Sequence, residues 1–343
     1  MSSLVGVAAA VVSGILNGSF ASPMKRITDW EWENTWLIYA LTALVVLPWL
    51  IVWMTVPGFG SIWYEVPRGA LLRTLLFGAG WGIGSLTFGL GLHMLGLSLG
   101  FTIMMGITAV AGSLVPMLVQ DPQDLLKLGG IVILVAMVVC VIGVTFCGTA
   151  AAIRESDEKS SKRDQKQVSY KLALSVCIIS GILSSMLNFA FTFGVPIATV
   201  AKSRLPAPGS DFLASNTVWL VALAGGFVPF FLYCLFLLLS KGSWRNFGRS
   251  GTGVNWLWAA LMGVIWIGCI TLYGASAALM GGLGTTVGWL ILMSVTVVTA
   301  NIWGLATGEW KGAPSKARQR MLRGVVLLIG SVILVGVGKS LLY

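Results

Sequence analysis

The chain has 343 residues and a formal net charge of +10, yet 10% of it is charged and 57% hydrophobic. A soluble domain carries about 25% charged residues, and a mean hydropathy of +0.90 excludes that class in favour of an integral membrane protein. The basic residues lie between apolar runs without any nucleic-acid motif, so positive-inside topology accounts for them and nucleic acid is not expected as a partner.

Ten apolar segments follow one another at 3–23, 36–56, 71–93, 97–119, 128–149, 171–195, 212–239, 255–279, 286–307 and 323–342. About 20 apolar residues cross the hydrocarbon as a helix, so the expected fold is an all-α integral membrane protein with ten transmembrane helices. No basic stretch precedes the first segment and no cleavage site follows it, so it reads as a retained helix rather than a signal peptide. After it comes PMKRITDWEWENTW at 23–36. Its tryptophans suit the headgroup layer; the loop reads as an interfacial anchor or as a gate latch in which Lys25 or Arg26 pairs with a facing acid.

Residues 77–116 form a Gly-rich run of 40 residues without Asp, Glu, Lys or Arg, long enough for two crossings with a turn near Leu95–Ser98. Shifted by 185 places it recurs: Gly78 falls on Gly263, Trp81 on Trp266, Phe88 on Tyr273, Gly89 on Gly274 and Gly96 on Gly281. The motif SGIL at 13–16 returns at 180–183, and Trp36 and Trp219 occupy comparable places in spans two and seven. The organisation read from this duplication is a first five-helix repeat at 1–150, a charged linker at 151–169 and a second repeat at 170–343. Five spans per half is an odd number, so the halves are expected to enter the membrane in opposite directions, as in many secondary transporters.

Arg68, Arg73, Lys127, Lys202, Arg204 and Lys339 fall on the side holding both termini, and the remaining Lys and Arg on the other. The positive-inside rule then places both termini outside and the central linker in the cytoplasm. A linker of that kind is expected to act as a tether.

None of the twelve acids lies in the middle of a span. The paired carboxylates of hydrolases and the buried carboxylate of many proton carriers are therefore missing, and no enzymatic activity is expected. The five cysteines lie in or beside apolar segments without a CxxC pair, and read as small buried hydrophobes. His93, the sole histidine, stands near the end of span three; it reads either as an interfacial residue or as the group that couples transport to a proton. One histidine makes no zinc site, so neither metal nor cofactor is expected.

The polar and aromatic groups at span depth are the remaining signal. A neutral sugar needs aromatic faces for its CH surfaces and amide or hydroxyl groups for its OH groups. Asn17, Trp81, Asn188, Trp266 and Tyr273 supply that mixture and are the substrate-binding candidates; each also admits a reading as packing or interhelical glue. Thr285, Thr286 and Asn301 in span nine border a polar path. Thr285 and Asn301 are about 24 Å apart along a helix, too far to share one small site. Hydroxyls of this kind also suit sodium, which stays open as the alternative coupling ion.

The segment at 23–36 resembles the P-x-K-x-(I/V)-x-x-W-x-W-E segment of the L-rhamnose–proton symporter (RhaT) family, a branch of the drug/metabolite transporter superfamily. FGAGWGIGSLTFGLGLHMLGLSLG at 77–100 continues the resemblance. Gly106, Ile107, Gly112, Leu114 and Pro116 extend it, and Gly308-Glu309-Trp310 follows span nine. The resemblance implies ten helices, a five-plus-five inverted repeat and uptake of a deoxy sugar across the bacterial inner membrane. It also implies a central substrate cavity. The chain departs from the enterobacterial pattern at Thr285, which stands where an Asp is found four residues before Trp289, and at His93, which replaces an Arg. The relative's N-terminal histidine has no counterpart. The expected partners are thus a small sugar and the lipid bilayer, with the oligomeric state open; another metabolite, or a facilitator without coupling, is the alternative.

Overall fold

The computed structural model describes residues 2–158, 169–205 and 211–342. Most of the expected linker, 159–168, lies outside the described residues. The described chain is helical throughout, without a strand, and ten of its helices are long and apolar enough to cross a membrane. They are α1 (Ser2–Ser19), α2 (Trp32–Thr55), α3 (Arg68–Leu95), α4 (Leu97–Gln120) and α5 (Leu128–Glu158). Then come α6 (Tyr170–Phe193), α7 (Asp211–Lys241), α8 (Gly253–Met280), α9 (Gly284–Ala306) and α10 (Ser315–Ser340). The protein is a multi-pass membrane protein of all-α class, as the apolar runs predict.

The helices overrun the apolar segments where the chain leaves the hydrocarbon. The basic turn after Ser315 begins α10 eight residues early, and α5 carries on to Glu158. Hydropathy sees the apolar stretch alone, whereas the helical backbone continues as long as its own hydrogen bonds are met. Between α3 and α4 the turn is a single residue, Gly96, at φ +85°, and Gly281 after α8 takes φ +64°. Both are positions where glycine alone avoids the Cβ penalty, and the two are matched by the 185-residue shift. Within α2, Leu41–Val46 forms a π-helical turn. Pro48 has no N–H to offer the Leu44 carbonyl four places earlier, which loosens the ladder at that point.

The helices gather into two compact units, each drawing on both halves of the sequence. The first takes Met1–Ile83 and Met186–Gly281; the second takes Gly84–Ser185 and Gly282–Tyr343. The long helices α3 and α6 each contribute to both.

In the first unit α1 packs along α8, and α2 and α7 pack against α8 and each other. Glycines set the closest crossings. A Cβ on Gly78 would run into the Ala222 carbonyl of α7, and one on Gly263 would come within 2.8 Å of Thr42 on α2. One end of the unit is tied by the loop at 23–36. Glu33, 0% exposed, accepts from Ser243 Oγ at 2.6 Å and from Lys241 Nζ at 3.1 Å. Asn34 Nδ2 donates to the Ser243 carbonyl at 3.0 Å, and Asn255 Nδ2 to that of Thr28 at 2.7 Å. The loop is thus latched by its acids, while Arg26 lies over the Trp258 ring at 4.7 Å.

In the second unit α5 and α10 pack along much of their length, with Gly143 against Gly324 and Gly129 against Gly338 at the crossings. Small residues let membrane helices approach closely where burial of apolar area gives little driving force. Cys140, Ser294 and Ser331 form a buried polar chain, Ser294 and Ser331 being 3.0 Å apart. The Gly308-Glu309-Trp310 turn is structural. Gly308 takes φ +79°, Trp310 is buried with Ala150, Ala317 and Met321, and the Arg154 guanidinium lies over Trp310 at 5.1 Å and 3.4 Å from Glu309 Oε2.

Candidate solute-binding site

Trp81 of α3 and Trp266 of α8 stack face to face, 5.3 Å between ring centroids at an interplanar angle of 16°. They belong to a closed circuit of rings in the first unit. Trp266 meets Tyr39 at 6.2 Å, Tyr39 meets Trp36 at 5.0 Å, Trp36 stacks on Phe230 at 6.3 Å, and Phe230 returns to Trp81 at 6.2 Å. Such separations are those of favourable aromatic pairs. Four helices supply the circuit: α2, α3, α7 and α8.

Glycines again make it possible. A Cβ on Gly226 would come within 2.7 Å of the Trp81 ring, and Gly82, on the turn after Trp81, crosses α7 at Gly226 and Pro229. On α8, Gly263 lies three residues before Trp266, so the crossing with α2 brings Tyr39 to the tryptophan. The indole N–H of Trp36 is buried and has no hydrogen-bond partner.

Asn188 and Tyr273 form a second pair. Tyr273 Oη donates to Asn188 Oδ1, joining α8 to α6, and both side chains are 0% exposed. Tyr273 stands two turns along α8 from Trp266, about 10 Å by helical rise. Its ring lies beside Phe191 at 5.8 Å and Trp219 at 5.9 Å. Asn17 is half-buried on α1, one turn after Ser13. Ser13 Oγ donates to the Cys269 carbonyl at 2.8 Å, so Asn17 shares the α8-facing side of α1. The five substrate candidates therefore all fall in the first unit, along α8: four in two groups, the Trp81–Trp266 stack and the Asn188–Tyr273 pair, and Asn17 by itself on α1.

The other candidates belong to the second unit and do not come together. His93 is exposed near the end of α3. Thr285 Oγ1 bonds Gln120 Oε1 at 3.0 Å and Thr286 Oγ1 donates to the Ser113 carbonyl at 3.0 Å, both across to α4. Asn301 Nδ2 folds back on its own helix to the Val297 carbonyl at 2.8 Å. Among the described residues no group of three His, Cys, Asp or Glu is placed to hold a metal ion.

Tyr39, Phe230 and Phe191 carry no sequence signal beyond apolarity. Trp36 and Trp219 do: they fall near comparable places in spans two and seven, and each joins an aromatic group of the first unit.

Residues 2–341 match the family described as L-rhamnose-proton symport protein (RhaT). The L-rhamnose-proton symporter of Mannheimia succiniciproducens is 28% identical over 345 residues, covering 98% of this chain and 98% of its own. Those of Pectobacterium atrosepticum and Yersinia pestis are 28% and 27% identical over 344 residues, with the same coverage. With nearly the whole of its length matched, the chain belongs to the L-rhamnose-proton symport family.

Proposed function

We propose that the protein is a secondary active transporter, not an enzyme, which carries L-rhamnose with a proton across the bacterial inner membrane by alternating access. The observation that carries this reading is the closed circuit of aromatic rings around Trp81 and Trp266, inside a chain of this family. L-Rhamnose is neutral, so its recognition needs no ion pair. Its CH faces rest on indole surfaces, while its hydroxyls require buried polar partners. Trp81 and Trp266 supply the faces; Asn17, Asn188 and Tyr273 are assigned the hydroxyls.

The proton is the coupling ion that the family description names, and nothing in the comparisons speaks for sodium. His93 is the group we assign to it. An imidazole can take up and release a proton, and the exposure of His93 supports exchange with water. Thr285, Thr286 and Asn301 are assigned to a polar path rather than to the sugar.

The architecture we assign is two inverted repeats, 1–150 and 170–343, joined by the linker at 151–169. The matched left-handed turns at Gly96 and Gly281 and the matched crossings at Gly78 and Gly263 support it. Both termini then lie outside and the linker in the cytoplasm. Counterflow tests the carrier reading: liposomes loaded with unlabelled L-rhamnose take up labelled sugar transiently above equilibrium if the protein is a carrier. Slow, non-saturable entry would contradict it.

A further inference from the structure

Two segments of the first unit are knotted together at one end of its helices: the loop at 23–36 after α1 and the turn Ser243–Gly248 after α7. The Trp30 indole N–H donates to the Asn246 carbonyl at 3.1 Å, and the rings of Trp30, Phe247 and Trp256 pack on one another with centroids 5.2–5.6 Å apart. The knot carries five cations, Lys25, Arg26, Lys241, Arg245 and Arg249, against three acids, Asp29, Glu31 and Glu33. Each acid is already engaged. Glu33 is held by Ser243 and Lys241, and Asp29 lies 3.7 Å from Arg249. Glu31 is the N-cap residue of α2, where the positive end of the helix dipole meets it. Arg26 and Arg245 are exposed, and among the described residues neither has an acid for a partner. Each guanidinium lies over an indole instead, Arg26 over Trp258 at 4.7 Å and Arg245 over Trp244 at 5.6 Å. A guanidinium so placed can still fork its N–H groups onto the oxygens of an anion. Trp32, Trp244 and Trp256 of the same end are 40%, 54% and 41% exposed, as indoles at the headgroup level are.

We infer that this end of the first unit is a binding surface for an anionic phospholipid, Arg26 and Arg245 supplying the positive charge that its phosphate meets. Charge complementarity calls for an anion, since five cations against three acids leave two positive charges in excess. The half-exposed indoles select a lipid over a soluble phosphate, because a lipid alone brings apolar surface to them together with its phosphate. In the orientation assigned above the surface faces the cytoplasmic leaflet, whose anionic lipids attract basic segments of this kind. Trp32 also stacks on Trp36 at 5.5 Å, so one pair of indoles joins the surface to the circuit of rings. The inference does not depend on which solute the chain carries.

Native mass spectrometry of the full chain, released from nanodiscs holding phosphatidylglycerol and phosphatidylethanolamine in equal amounts, tests this by counting the lipid that each protein retains. The wild type should keep phosphatidylglycerol in preference. Arg26→Gln/Arg245→Gln should lower its retention about tenfold, the effect of a lost charge-assisted hydrogen bond, and leave that of phosphatidylethanolamine unchanged. Arg26→Lys/Arg245→Lys, which keeps the charges and loses the forks, should fall between the two. Lys316→Gln/Arg318→Gln removes the same charge from exposed positions at the start of α10 and should behave as wild type. Equal losses in the two Gln pairs would overturn the surface, since diffuse positive charge would then suffice. Equal retention of both lipids by the wild type would overturn it as well. Soluble glycerol phosphate that displaces phosphatidylglycerol at equal concentration would overturn the lipid and assign the surface to free phosphate esters.

Discussion

Trp81 and Trp266 lie in contact, ring on ring at 5.3 Å, although 185 residues separate them. That separation is the shift that lays Trp81 on Trp266 in the sequence, and the two indoles lie together inside one compact unit. Two flat apolar faces on helices α3 and α8, closed into a circuit by Tyr39, Trp36 and Phe230, form a surface suited to the CH face of a sugar rather than to an ion.

Trp81→Ala and Trp266→Ala should each raise the KM for L-rhamnose uptake about tenfold, the loss expected when one aromatic face of roughly 1.4 kcal/mol is removed. Trp266→Phe, which keeps a face, should change it only a few-fold. Initial rates of uptake into liposomes measure both. Equal KM for all variants would place the sugar elsewhere.

The Glu33–Lys241 pair is asymmetric: Glu33 is fully buried, whereas the Lys241 side chain is 48% exposed. Lys241→Met leaves a buried carboxylate held by the Ser243 hydroxyl without its cation, and should lower stability by about 3 kcal/mol. Glu33→Gln frees a lysine that can turn to water and should cost only about 1 kcal/mol. In the double variant Glu33→Gln should suppress most of the Lys241→Met defect. Thermal unfolding of the four proteins gives the cycle, and additive losses would show that the pair does not hold the loop.

Gly78 and Gly89 are both helical glycines of α3 but differ in surroundings. Gly78→Ala meets the Ala222 carbonyl, while a Cβ on Gly89 has nothing within 4 Å. The first should abolish folded protein in the membrane. The second should be neutral or raise stability by roughly 0.5–1 kcal/mol through helix propensity. Size-exclusion profiles of the two variants after extraction make the comparison.

If His93 carries the proton, His93→Gln should abolish accumulation driven by a pH gradient while leaving counterflow of L-rhamnose intact, since exchange of bound sugar needs no net proton movement. Accumulation equal to wild type would remove His93 from the coupling step.

Much of this fold is legible from hydropathy, because a helix crossing hydrocarbon must be apolar for its full width, and all ten segments reappear as helices. The turn before Leu97 is legible too, as is the correspondence of Trp81 with Trp266 under the 185-residue shift; that the two rings stack on each other is not. The composition of the compact units is not. It depends on α3 and α6 dividing at Ile83 and Ser185, and a continuous apolar run carries no mark of where its packing partners change. Within the site, the sequence has Asn188 and Tyr273 as independent sugar ligands; that they bond each other follows from the spacing of α6 and α8, which no local pattern encodes. The acids of the 23–36 loop show the same limit. Glu33 reads as a solvated charge until Lys241 and Ser243 are brought over it.

The most direct test is L-rhamnose uptake into liposomes holding the purified protein, with and without an imposed inward proton gradient and at constant sodium. Accumulation above the external concentration is expected only with the gradient, and is expected to be lost in the Trp266→Ala variant at low sugar. Folded protein that moves no L-rhamnose saturably under either condition would contradict it.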